Sequence, residues 1–277
     1  MNYSTGSIVK LIFSLKLLCG FFYFYYYEDF GFDYLDLFKA YCNADIITDF
    51  EVIYILDKFH EAIFKQFCFL GKNYFFWIFF IIQLFFYITI FKKIYNYYKD
   101  DSRARWLIIA LFASPTLALF SSSPTKDGFF ILLIFLVIFF LKYLPKFFII
   151  LPCVVKPYFL LLYSSFSKFW ILILFTNMII YFYDSSIYND VGFIISKKIS
   201  VSTFQSLSKI GLVDTVWLLE LFIILFLSSV SKHINKFALL FLLIITIVGV
   251  GYNFNVGSRI LSLGILLLLS TNYVYKK

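Results

Sequence analysis

WLIIALFASPTLALFSSSPTKDGFFILLIFLVIFF, residues 106–140, places three serines, a proline, a threonine, a lysine and an aspartate between two runs that are otherwise almost wholly apolar. Two membrane-spanning helices joined by a polar turn at the membrane surface is the economical reading, because backbone groups in hydrocarbon must be satisfied within a helix. The rest of the chain agrees. Of its 277 residues 62% are hydrophobic, 24% aromatic and 14% charged, with mean hydropathy +0.89. A soluble domain is about half apolar and a quarter charged. Several apolar stretches reach the roughly 17–25 residues that cross a bilayer. The expected fold is all-α: a polytopic integral membrane helix bundle, residues 1–277 forming one transmembrane domain.

The net charge of +8 fits the cationic loops that set membrane orientation. No basic face interleaved with exposed aromatics argues for nucleic acid, and none is expected as a partner. Cys19, Cys42, Cys68 and Cys153 show no metal or redox spacing. Cys19 and Cys153 lie in apolar runs as small hydrophobes. Cys42 and Cys68 share one long loop and would pair if that loop is extracytoplasmic. Two lysines, Lys10 and Lys16, precede an apolar N-terminal stretch as in a signal peptide, but it ends in bulky Tyr25, Tyr26 and Tyr27 with no small-residue cleavage site. An uncleaved signal anchor is expected.

The first span reads as about 8–27, followed by an acidic loop over 28–72 in which nine acids outweigh Lys39, Lys58, Lys65 and Lys72. Within it Phe50, Ile53, Leu56, Phe59, Ile63 and Phe67 recur at helical spacing, predicting an amphipathic helix lying on the membrane. The second span is about 73–91. Lys92, Lys93, Lys99, Arg103 and Arg105 then form the densest cationic cluster, which the positive-inside rule assigns to the cytoplasm. The N-terminus is therefore expected inside, the acidic loop outside and the turn at 121–127 outside. Spans at about 106–121, 128–141, 147–163, 169–183, 216–230, 237–252 and 259–273 bring the expected count to eight or nine. One of 147–163 and 169–183 is favoured as re-entrant or bent, because two full crossings there invert the charge rule downstream.

Ser123 followed by Pro124 predicts a helix start, serine as N-cap and proline at the first helical position. Lys126 then sits in the first turn, unfavourable beside the positive end of the dipole unless an anion is present. A helix N-terminus with a lysine and several hydroxyls suits phosphate; Lys126 and Asp127 read equally well as an interfacial pair. Lys156, before Pro157, falls near the middle of the fifth predicted span. There a lysine costs roughly 2.5–3.5 kcal/mol and normally serves a polar cavity, or pairs with Glu220 or a carbonyl. Arg259 stands at the mouth of the last span, by itself a boundary anchor. Three cations at the membrane suit a lipid-linked diphosphate, and Asp33, Asp36 or Glu61 in the outer loop would supply a general base.

The order of these features resembles the bacterial polysaccharide polymerases of the Wzy type, especially their EpsG-like branch. The residues that carry the likeness are GFDYLDLFKAY (31–41), HEAIFKQFCFLGKNYFFWIFF (60–80), the SSSPTKD turn (121–127), and Lys156, Pro157 and Tyr158. The likeness covers about 28–165 and reaches Arg259 only loosely. The chain is shorter than those polymerases, has lysine where arginine or histidine is expected, and lacks a large later arginine-rich outer loop. The resemblance implies an enzyme joining undecaprenyl-diphosphate-linked oligosaccharide repeat units, into O-antigen or capsular polysaccharide, at the outer face of the inner membrane. It implies no cofactor and no metal, a chain-length regulator and a flippase as partners, and a lipopolysaccharide or exopolysaccharide product. By carry-over Lys126, Lys156 and Arg259 would contact the diphosphate, with Ser123, Asp127 and Tyr158 in support.

Two rivals stand beside it. A lipid-phosphate-sugar glycosyltransferase of the GT-C type would also place an acid in its first outer loop. A flippase or transporter for lipid-linked sugars would be favoured by a Lys156–Glu220 pair, although no two related halves are visible. A non-catalytic membrane subunit is a third reading. Phosphate-loop, zinc-protease and serine-hydrolase motifs are absent from the sequence, and the two histidines, His60 and His233, are far apart.

Overall fold

The computed structural model describes residues 5–26, 65–140, 143–154, 156, 159, 162, 212–252 and 254–276. Among them every regular element is helical: α1 (Thr5–Tyr26), α2 (Lys72–Tyr97), α3 (Ser102–Ala113), α4 (Pro115–Phe120), α5 (Lys126–Phe139), α6 (Leu212–Val230), α7 (Lys236–Tyr252) and α8 (Phe254–Lys276), with 3₁₀ turns η1 (Cys68–Leu70) and η2 (Lys146–Val154). Three helices are long and apolar enough to cross a membrane, at Gly6–Tyr25, Asn73–Tyr97 and Phe254–Tyr275; shorter apolar helices cover Asp127–Phe139 and Lys236–Ile247. Outward faces of these helices and of α6 carry large apolar side chains that water would not favour: Leu18 is 67% exposed, Ile81 63%, Phe226 65% and Ile247 68%. Long apolar helices with apolar exteriors are what a membrane-embedded helical protein presents to lipid.

The chain divides into two compact units. One comprises Met1–Lys99, Leu117–Pro157 and Tyr273–Lys277, and the other Asp100–Thr116 and Tyr158–Asn272. In the first, α1 packs on α2 through aromatic rings. Phe24 lies 4.8 Å from Trp77 and 5.1 Å from Phe76 by ring centroids, and Phe21 lies 5.4 Å from Trp77. Gly20 permits this approach, since a β-carbon there would overlap the Phe80 ring. α2 then meets α5 through Phe79–Phe129, Tyr87–Phe135 and Phe86–Phe139. α2 itself begins at Gly71, whose φ of 74° is the left-handed backbone that glycine accepts without strain. In the second unit α6 packs against α3, and Asp101 and Asn235 cap the starts of α3 and α7, each accepting two backbone N–H bonds.

Helices occupy most of the predicted spans, with three differences. The span expected at 106–121 is divided: α3 ends at Ala113, Ser114 is extended, and α4 restarts at Pro115. A proline donates no N–H and ends the helix before it. The span expected from 147 is, where described, the 3₁₀ turn η2 with Pro152 inside it, followed by a bend at Lys156; Lys156 does not sit in the middle of a regular helix. The N-cap of α5 is Thr125 rather than Ser123. The Thr125 side chain accepts from Gly128 N–H at 3.4 Å, while the Ser123 hydroxyl is turned onto Thr125 Oγ1, so Pro124 precedes the cap instead of opening the helix. The predicted amphipathic helix at 50–67 and span at 169–183 lie essentially outside the described residues.

Candidate polar site at the turn before α5

Five consecutive residues at 121–125 are polar or proline and all are buried, among them the hydroxyl-bearing Ser121, Ser122, Ser123 and Thr125. Buried hydroxyls need partners, and the principal one comes from a distant part of the sequence. Lys16, in the middle of α1 and fully buried, donates to Ser121 Oγ at 2.6 Å, Ser122 Oγ at 2.7 Å and the Ala118 carbonyl at 2.8 Å. Its three N–H bonds are thereby used. The serine hydroxyls pass their own hydrogens back to α4, Ser121 to the Leu117 carbonyl at 2.5 Å and Ser122 to that of Ala118 at 2.7 Å. The faces of Tyr87 and Phe80 lie 5.0 and 5.5 Å from the ammonium, within cation–π reach. Among the described residues no carboxylate meets Lys16; hydroxyl and carbonyl oxygens and ring faces surround its amine.

A second lysine reaches the same turn. Lys156 forms an ion pair of 2.5 Å with Asp127 Oδ1, both side chains largely withdrawn from solvent. Asp127 is the second residue of α5, where a carboxylate also complements the helix dipole. Gln83 of α2 closes the other side, its Nε2 donating to the Gly128 carbonyl at 2.7 Å. Gly128 has no alternative residue that fits: a β-carbon would overlap the Ser123 carbonyl oxygen. Two lysines from separate segments, three buried serines and a helix N-terminus therefore share one turn.

Of the residues selected from sequence, Ser123, Asp127 and Lys156 are brought to this turn, and Lys126 is the first residue of α5. Lys156 pairs with Asp127, and Glu220 is held by hydroxyls: Thr116 and Ser262 donate to it. Lys156 thus meets Asp127 where the sequence reading offers Glu220 or a carbonyl as its partner. Arg259 is half-buried in the second turn of α8, in the other compact unit. Asp33, Asp36, Glu61 and Tyr158 lie outside the described residues. Sequence reasoning places Lys16 in a charged N-terminal region; the signal that marks it otherwise is its position inside the apolar run LIFSLKLLCGFF, the same kind of setting as that of Lys156. Cys19 and Cys153 are free thiols, as their apolar settings suggested, and Cys68 is disulfide-bonded. The chain matches no protein-family model, no curated protein and no solved structure.

Proposed function

We propose that the protein is a polytopic bacterial inner-membrane glycosyltransferase that joins diphosphate-lipid-linked oligosaccharide units into a surface polysaccharide. The single observation that carries this reading is the convergence of Lys16 and Lys156 on the serine-rich turn that opens α5. Charge stabilisation of a departing diphosphate is the dominant requirement of such a transfer. A turn reached by two lysines, carrying several hydroxyls and opening a helix, suits that requirement. In this reading the bundle makes eight or nine crossings with the N-terminus in the cytoplasm and the turn on the outer side. The disulfide at Cys68 favours an oxidising compartment for the 28–72 loop that contains it. Lys126 and Lys156 contact the diphosphate, Lys16 holds the turn electropositive, and an acid of the outer loop (Asp33, Asp36 or Glu61) takes the proton of the acceptor hydroxyl.

A strain lacking the chain tests the reading on a lipopolysaccharide or exopolysaccharide gel. Loss of the high-mass ladder, with a band of core plus one repeat unit retained, is the expected result, and the wild-type chain restores the ladder. A ladder that persists with altered mobility would point instead to side-branch glycosylation, and an unchanged ladder would refute the proposal.

A further inference from the structure

We infer that Glu220, with the hydroxyls of Thr116, Ser258 and Ser262, binds a monovalent cation of sodium size at the break between α3 and α4. The break sets up the site. Pro115 offers no N–H, so the Leu111 carbonyl takes the Ser114 N–H instead, at 3.2 Å. The Thr116 N–H is then directed at Glu220 Oε2, at 3.1 Å. Thr116 Oγ1 donates to the same oxygen at 2.8 Å and stands 3.1 Å from Ser258 Oγ; Ser262 Oγ donates to Oε1 at 2.9 Å. The Ser114 side chain also hydrogen-bonds the carboxylate. Ser258 and Ser262 are four residues apart on α8 and so present both hydroxyls on one face. Each of these five residues is at least 94% withdrawn from solvent, Glu220 itself being 6% exposed.

Charge selects the ligand. Among the described residues no cationic side chain pairs with Glu220, and a buried carboxylate must be neutralised or compensated. One univalent ion brings the site to neutrality, whereas a divalent ion would leave an uncompensated positive charge among apolar helices. The donors are all oxygen, the set that hard cations take. Neighbouring oxygens lie 2.8–3.1 Å apart along the hydrogen-bonded chain, a close grouping that suits sodium better than the larger potassium ion. Interrupted helices at membrane depth are places where hydroxyl, carboxylate and carbonyl oxygens are free to coordinate such ions. On binding, the hydroxyls rotate their hydrogens outward and turn lone pairs to the ion while the carboxylate stays in place.

The full chain, purified in detergent, is titrated with sodium, potassium or choline chloride at constant ionic strength. Thermal unfolding and the fluorescence of Trp217, one helical turn from Glu220 on α6, are followed. The expected result is a saturable rise in Tm and a fluorescence change with sodium, neither with choline, and a midpoint about tenfold or more higher for potassium. Glu220→Gln removes the sodium response. Ser262→Ala, a milder change should the first variant not fold, moves the sodium midpoint up by about tenfold, or 1.4 kcal/mol. Equal Tm in sodium and choline overturns the inference, as does a sodium response that survives unshifted in Ser262→Ala or in folded Glu220→Gln. A response to pH alone, with no preference among the salts, also overturns it. None of these readouts depends on the polysaccharide ladder.

Discussion

Asp127 and Lys156 meet as an ion pair at 2.5 Å, one from the first turn of α5 and the other from the bend after η2. The pair is shielded, and its members hold the N-terminus of α5 to the bend that follows η2. Removing one partner from a shielded pair leaves an uncompensated charge, at a cost of about 3–5 kcal/mol. Asp127→Asn and Lys156→Met are each expected to lower stability in detergent by nearly that amount, whereas the double variant loses less than the sum. Denaturant unfolding of the four proteins measures the coupling, and strict additivity would show the pair to be energetically idle.

Lys16→Met separates packing from function. Methionine fills a similar volume, and Ser121 and Ser122 keep their bonds to the Leu117 and Ala118 carbonyls. Replacing a buried charge by a matched apolar side chain is often neutral or stabilising. The variant is therefore expected to fold with unchanged or higher Tm while losing about tenfold or more of its ladder-forming activity, an effect of about 1.4 kcal/mol or more on the transfer step. A ladder at wild-type density from this variant would remove Lys16 from the functional site.

Gly128→Ala tests the close approach at the turn. In an exposed helix interior this change stabilises by about 0.8–1.0 kcal/mol. Here the added methyl would overlap the Ser123 carbonyl oxygen, so backbone has to move and the Gln83 bond to Gly128 is strained with it. A fall in Tm is expected, opposite in sign to the propensity effect. A rise in Tm would show that the turn relaxes freely.

The cap of α3 should give the protein an acid limb. Burial raises the Asp101 carboxyl, but the backbone N–H groups of Ala104 and Arg103, then Lys232 and His233, outweigh it and hold the group below its ordinary value. His233 Nε2 lies 3.1 Å from Asp101 Oδ2 and Lys232 Nζ 3.7 Å. Because the folded value is depressed, the stabilisation is fully present above the unfolded carboxylate value of about 3.9 and is lost as pH falls through the folded one. Asp101→Ala is expected to cost about 1 kcal/mol near neutrality and to flatten the decline of Tm below about pH 4. An unchanged acid profile would assign that decline to other carboxylates.

Where hydropathy alone decides, the sequence was readable: α1, α2, α5, α6, α7 and α8 fall on runs whose apolar length announces a helix. Its failures occur where a local polar or proline choice depends on tertiary partners. Ser123-Pro124 satisfies every rule for a helix start, yet Thr125 takes the cap and the Ser123 hydroxyl turns to Thr125 Oγ1. Pro115 lies in an apolar run that hydropathy reads as one span, and the division there becomes apparent only with Glu220 receiving the redirected N–H. Lys156 was conspicuous from its setting, but no periodicity could distinguish Asp127 from Glu220 as its partner. Lys16 was concealed by its neighbour Lys10, since two lysines near an N-terminus look like a targeting signal until one of them is found among Ser121 and Ser122.

The burial of Lys16 also constrains how the protein is made. Its partner Ser121 follows 105 residues later in the chain. At roughly 5–20 residues per second, the ribosome needs on the order of 5–20 s to supply it. Until then the Lys16 amine has none of the hydroxyl partners that it holds in the folded chain, so this part of the fold closes only after the serine turn has been made.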